Sequence, residues 1–273
     1  MRKFYFLLLT LVTMALNANA SIKVCGVEPD ENGHFNSSFI KSGSIIWDND
    51  SRTLTMDNAV VEYNTDNKYD NVYPLHVNED ATIVIHGDCK LTTNGFVALR
   101  LNGMDNGVTI KGDGSLSLSS TWIDLHISYA RVTIKDITLK TTCEIGDNNM
   151  GDDIVLTFDN VSADILGGVE RIGAGITLNN CSITEPEGGY VEHEAYGYFI
   201  AEANGNHANH VVISRDGNKP GDVNCDGDVT IADGVAVLNA MAGQSVPGNP
   251  DINGDNDITI ADFVAVLNIM AGQ

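Results

Sequence analysis

"GVTIKGDGSL" (Gly107–Leu116) and "RVTIKDITL" (Arg131–Leu139) are two versions of one phrase. Four more occur: "TLTMDNAVV" (Thr53–Val61), "ATIVIHGDC" (Ala81–Cys89), "VLTFDNVSA" (Val155–Ala163) and "GITLNNCSI" (Gly175–Ile183). Each sets a threonine beside an apolar residue and alternates apolar with polar, the pattern of a strand with one face buried. Thr55, Thr82, Thr109, Thr133, Thr157 and Thr177 follow one another at intervals of 27, 27, 24, 24 and 20 residues. Gly, Asn and Asp fill the spaces between, and no long helical pattern interrupts. Repeats of this length indicate a solenoid, one coil per repeat.

The expected architecture is mostly β: a right-handed parallel β-helix over residues 21–215. Thr82, Thr109, Thr133 and Thr157 should stand in register on one sheet within residues 40–185, and Asn58, Asn160 and Asn180 should occupy similar bends. An antiparallel sandwich is the alternative that the same alternation allows. Residues 186–215 break the rhythm and read as two closing strands that cap an otherwise open edge. The stretch "AVVEYNTDNKYDNVYPLHV" (Ala59–Val77) and its neighbours resemble the pectate-lyase-like β-helix group, which includes non-catalytic carbohydrate-binding members. That resemblance implies association with polysaccharide.

The C-terminal region speaks differently. "GDVNCDGDVTIADGVAVLNAMAGQ" (Gly221–Gln244) returns, shifted by 29 residues, as "NPDINGDNDITIADFVAVLNIMAGQ" (Asn249–Gln273). Counted from Asp222 and Asp251, side-chain oxygens fall at positions 1, 3, 5 and 12: Asp222, Asn224, Asp226 and Asp233, then Asp251, Asn253, Asp255 and Asp262. Asp228 and Asp257 at position 7 offer backbone carbonyls, and threonines stand at position 9. This is the ligand spacing of an EF-hand calcium loop, whose alternate residues point inward at a hard, oxygen-seeking cation. Gly227 suits the sharp turn at position 6, and Asn256 takes its place in the second loop. A short amphipathic helix follows each loop, with Val235, Leu238 and Met241 repeated as Val264, Leu267 and Met270. "SRDGNKP" and "SVPGNP" are turn-formers, so no helix precedes either loop.

These residues resemble a type I dockerin over Gly221–Gln273. The resemblance implies a small all-α module that holds two Ca²⁺ ions and anchors its host to a cohesin domain on a scaffold protein. It also implies that loop positions 10 and 11, Ile231-Ala232 and Ile260-Ala261, touch the partner. The bland alternative makes Ile231 and Ile260 core residues. Residues 216–220 read as a linker between the two parts.

The chain of 273 residues carries 15 Lys+Arg against 37 Asp+Glu, a net charge of −22. Such a surface does not suit nucleic acid, which is bound by clustered cations, and it suits divalent cations. Residues 1–20 show a basic start, an apolar stretch from Phe4 to Leu16 and the small-x-small Ala18-Asn19-Ala20, the plan of a secretory signal peptide. The expected location is therefore extracellular or at the cell surface, with no transmembrane segment in the mature chain. Five cysteines lack metal spacing, and most are expected to be small buried hydrophobes.

No catalytic motif stands out. Asp48/Asp50 and Asp152/Asp153 are the paired acids, Arg100 and Arg131 the available lyase-type bases, and His193, His207 and His210 the C-terminal histidines. Trp47, Trp122, Tyr63, Tyr69 and Tyr73 are candidate sugar-stacking rings, the three tyrosines foremost because a polar stretch should not bury all of them. Three function classes follow: a non-catalytic, dockerin-anchored polysaccharide-binding protein; a dockerin-borne glycoside hydrolase or polysaccharide lyase; and a structural surface protein.

Overall fold

The computed structural model describes residues 22–67, 71–103, 106–147, 153–215, 221–226, 228–255 and 257–272. Residues 1–20, expected to be a signal peptide, residues 216–220, expected to be a linker, and Tyr69, Asp152, Gly227 and Asn256 lie outside the described residues. The chain is mostly β, with a β-solenoid of about four turns and two helices at the C-terminal end.

Each coil has three strand faces. One is built from Thr53–Tyr63 (its first half), Ala81–His86, Val108–Gly112, Arg131–Lys135, Val155–Asp159 and Gly175–Asn179, paired in parallel in that order. The second half of Thr53–Tyr63 continues into the next face, with Asp88–Thr93, Ser115–Ser119, Thr138–Thr141 and Ser162–Leu166. The third face is a six-stranded sheet containing Leu75–Val77, Val97–Leu101, Ile123–Ile127, Glu144–Gly146 and Val169–Glu170, again parallel. Parallel pairing along all three faces excludes the antiparallel sandwich.

The threonine ladder is real: Thr82, Thr109, Thr133, Thr157 and Thr177 are register partners from coil to coil. One member differs from expectation. Thr53, not Thr55, pairs with Thr82; both threonines lie on the same side of a strand of period two, so spacing alone does not separate them. The neighbouring positions point inward as an apolar stack of Leu54, Ile83, Ile110, Ile134 and Phe158, each essentially solvent-free. Burying each such side chain stabilises the fold by about 1.5–3 kcal/mol.

At five corners between the first and second faces the backbone turns on one left-handed residue. Asn58, Gly87, Asp136, Asn160 and Asn180 have φ of 46°, 61°, 58°, 52° and 53°. Asn and Asp tolerate this region through local hydrogen bonds, and Gly needs none. Asn58 Nδ2 donates to Asp57 and its Oδ1 accepts from Asp88 N, while Asn160 and Asn180 donate to Asp136 and Asp159. Cys89 and Cys181 follow this corner, buried in the core, and Cys25 is buried too.

Antiparallel strands close both ends. Ile22–Val24 pairs with Leu75–Val77, and Ile40–Asp48 with Thr53–Tyr63. At the far end His210–Arg215 inserts between Ser162–Leu166 and Cys181–Glu185, antiparallel to both. Tyr190–Glu194 and Gly197–Ala201 form a hairpin beside it. The closing segment thus supplies three strands rather than two. The C-terminal helices, α1 (Ile231–Met241) and α2 (Ile260–Met270), pack on each other around a separate small core of Val223, Ala236, Val237 and Val266.

Candidate functional site

The two loops before α1 and α2 share a set of corresponding hydrogen bonds. In the first, Asp226 N donates to Asp222 Oδ1 (3.1 Å) and Asn224 Oδ1 (2.9 Å), and Asp228 N donates to Asp226 Oδ1 (3.0 Å). In the second, Asp255 N donates to Asp251 Oδ1 (3.1 Å) and Asn253 Oδ1 (2.8 Å), and Asp257 N donates to Asp255 Oδ1 (2.9 Å). These short-range bonds curl each loop so that its side-chain oxygens gather on the concave side.

The position-12 aspartates anchor this curl. Asp233 is buried; its Oδ1 accepts from Val223 N and Asn224 N, and its Oδ2 from Thr230 N. Asp262 repeats the arrangement with Ile252 N, Asn253 N and Thr259 N. Burial pushes the Asp262 carboxyl up, but the backbone donors of Thr259, Asn253 and Ile252 outweigh it and hold the group below its ordinary value. Thr230 and Thr259 complete a reciprocal capping box with Asp233 and Asp262, so loop and helix share one hydrogen-bonded joint.

The oxygens of Asp222, Asp226 and Asp233 lie within 4.8 Å of one another, the one such cluster of His, Cys, Asp or Glu among the described residues. Asp222 and Asp233 are buried, so their proximity is imposed by the fold. An all-oxygen set of this kind fits a hard cation such as Ca²⁺.

The helices do not bury the stripe that their periodicity marks. Ile231 is 56 % and Ile260 58 % exposed, and Val235, Leu238, Met241, Val264 and Met270 are exposed as well. Ala232 and Ala261 are also exposed. The reading of Ile231 and Ile260 as core residues is therefore corrected. The small core is made by the opposite side, where the Phe263 ring lies over Gly234 and a β-carbon there would come within 2.7 Å of the ring. Gly234 and Phe263 hold the same place in the two repeats, so this difference lets α2 seat on α1.

On the solenoid, the aromatic expectations change. Tyr63 is in the main core, edge-on to Phe39, and Tyr73 is buried with its hydroxyl on Arg100; neither offers an open ring. Polar sequence around them did not keep them outside because each lies beside a strand whose inner face is apolar. Trp47 is buried also, whereas Trp122 is exposed and meets Phe96 edge-to-face, with ring centroids 6.0 Å apart. Phe96 was not singled out by the sequence, although it stands 26 residues before Trp122, one coil away, and each directly precedes a strand of the third face.

Asp48 accepts from Asp50 N and Ser51 Oγ and so fixes a surface turn. His207 lies between Glu170 and Glu194, and His210 beside Asp164, so the two do not converge on one ion. Burial pushes the Cys25 thiol up to about 12, which leaves it inert. No helix among the described residues is long and apolar enough to cross a membrane. No protein-family model, curated protein or solved structure matches this chain.

Proposed function

We propose that this chain is a secreted polysaccharide-associated protein whose C-terminal module, similar to a type I dockerin, attaches it through calcium to a cohesin domain of a scaffold protein. The solenoid, taken as right-handed as the twist of parallel strands favours, serves as a non-catalytic glycan-binding body. The observation that carries the reading is the duplication in depth: two loops with the same oxygen positions and the same internal bonds, each feeding a helix with an exposed apolar stripe. Asp222, Asn224, Asp226, Asp233 and the Asp228 carbonyl would hold one Ca²⁺; Asp251, Asn253, Asp255, Asp262 and the Asp257 carbonyl would hold the other. When bound, the ions neutralise part of the eight-aspartate charge of Gly221–Gln273, a segment with no Glu, Lys or Arg. Ile231-Ala232 and Ile260-Ala261 then face the cohesin.

Isothermal titration of the full chain with calcium tests this directly, followed by capture on an immobilised cohesin-bearing scaffold with and without chelator. Two bound ions and chelator-sensitive capture are expected. Absence of calcium uptake, or capture indifferent to chelator, overturns the reading.

A further inference from the structure

The third face carries a straight row of polar residues. Register places Lys23, His76, Arg100, His126, Gly146 and Glu170 on successive strands. Lys23 is paired with Glu28 at 3.0 Å, and His126 faces Asp147 at 3.3 Å. Arg100 differs. Its Nη1 donates to the Tyr73 hydroxyl at 2.7 Å and its guanidinium lies 5.4 Å from the Tyr73 ring centre. Its Nε is buried without a hydrogen-bond partner, and among the described residues no carboxylate forms an ion pair with it. Although 37 acids face 15 Lys+Arg in the chain, this half-buried guanidinium has no carboxylate partner among the described residues. Removing a charge from water is costly unless a partner answers it.

The exposed aromatic pair stands at the head of the same strands, Phe96 before Val97–Leu101 and Trp122 before Ile123–Ile127. Tyr73 packs with Val97 and Ile123 in a small cluster apart from the main core. Those two residues directly follow Phe96 and Trp122. Tyr73 thus touches both the Arg100 guanidinium and the strand residues next to Trp122, 45 % exposed, and Phe96, 36 % exposed. Tyr73 also meets the His76 ring edge-on, 5.4 Å between centres, which brings His76 to the same spot.

We propose that this patch binds a glycan bearing isolated acid groups, one sugar ring lying on Trp122 and Phe96 and the oxyanion meeting Arg100 with His76 beside it. The apolar face of a pyranose ring suits an exposed indole, which offers flat area at little entropic cost. A carboxylate or sulfate suits the guanidinium fork, which can donate two parallel hydrogen bonds. The net charge of −22 disfavours a dense polyanion, whose many charges the rest of the surface would repel. An acid group on only some of the sugars answers Arg100 without that penalty. The inference rests on the glycan-binding part of the proposed function and names its ligand class.

The test is calorimetric titration of the full chain with three probes: a neutral xylo-oligosaccharide, the same oligosaccharide carrying one glucuronic acid, and one carrying a single sulfate. At least tenfold tighter binding of one or both acidic probes is expected, and the tighter of the two identifies the oxyanion. Trp122→Ala should weaken every probe about tenfold or more. Arg100→Gln should abolish the acid preference and leave the neutral probe unchanged, while Arg100→Lys retains part of it; equal melting temperatures exclude a folding defect. If Arg100→Gln unfolds the chain, the Arg100→Lys series decides alone, and an undiminished preference there sinks the proposal. Equal binding of acidic and neutral probes overturns the proposal but leaves glycan binding standing, and no binding of any probe removes both. Calcium uptake and scaffold capture are independent of either result.

Discussion

Asn58 takes a left-handed backbone conformation at the corner where Gly87 does the same one coil later, with φ of 46° and 61°. A β-branched residue does not tolerate this region, so Asn58→Val should destabilise the solenoid by about 2 kcal/mol or more, read as a lower urea midpoint at constant slope. The asparagine corners were legible because Asn recurs after the same strand phrase. The threonine that begins the ladder was not, since a two-residue slip preserves the strand's facing. His76 supplies a second expectation. Burial, and then the neighbouring Arg100, Lys23 and His126, depress it from 6.5 to about 4. The unfolded chain therefore binds a proton that the folded chain refuses between those values. Stability should be complete above pH 6.5 and fall as pH drops toward 4. In His76→Gln the loss over this window should shrink, measured by melting temperature against pH.

At the level of the helix, apolar spacing identified a stripe on α1 and α2 but carried no information about which side it faced. The answer came from Gly234 and Phe263, whose interlock fixes the buried side and leaves the stripe outside. Two equivalent exposed stripes have a testable consequence. Ile231→Ser or Ile260→Ser alone should leave scaffold capture within about threefold of the unaltered chain, whereas the double substitution should abolish it, as surface plasmon resonance would show. The hydrogen-bonded curl of the loops was legible because Asp and Asn at alternate positions capture the backbone N–H groups two to four residues on. Their folding should be linked to the ion. Chelator should remove the helical circular dichroism of Gly221–Gln273 while the β-signal persists, and Asp222→Ala with Asp233→Ala should halve the calcium stoichiometry.

Among the described residues the large core threaded through the coils is separate from the small one under the helices. A chain ending at Arg215 should therefore melt at the same temperature as the β-transition of the full protein and lose scaffold capture. Phe158 is wholly buried in the apolar stack, and Phe158→Ala should cost about 3–5 kcal/mol and lower the β-transition alone. The period of the coils was readable because every turn must return the same strand to the same face. The aromatic platform was harder to read, because exposure at a corner depends on what the preceding loop covers.

The strand His210–Arg215 lies between two strands that precede it in sequence, Ser162–Leu166 and Cys181–Glu185. A chain synthesised from its N-terminal end can lay down coil on coil as it emerges, each new turn templated by the last. It cannot finish in that manner. The slot beside Leu166 stays open until residue 215 has been delivered, so closing the rod is a discrete last event that waits on the final strand rather than a continuation of winding. Until then the solenoid presents a live sheet edge to its surroundings, and the interval between the two is its window of vulnerability.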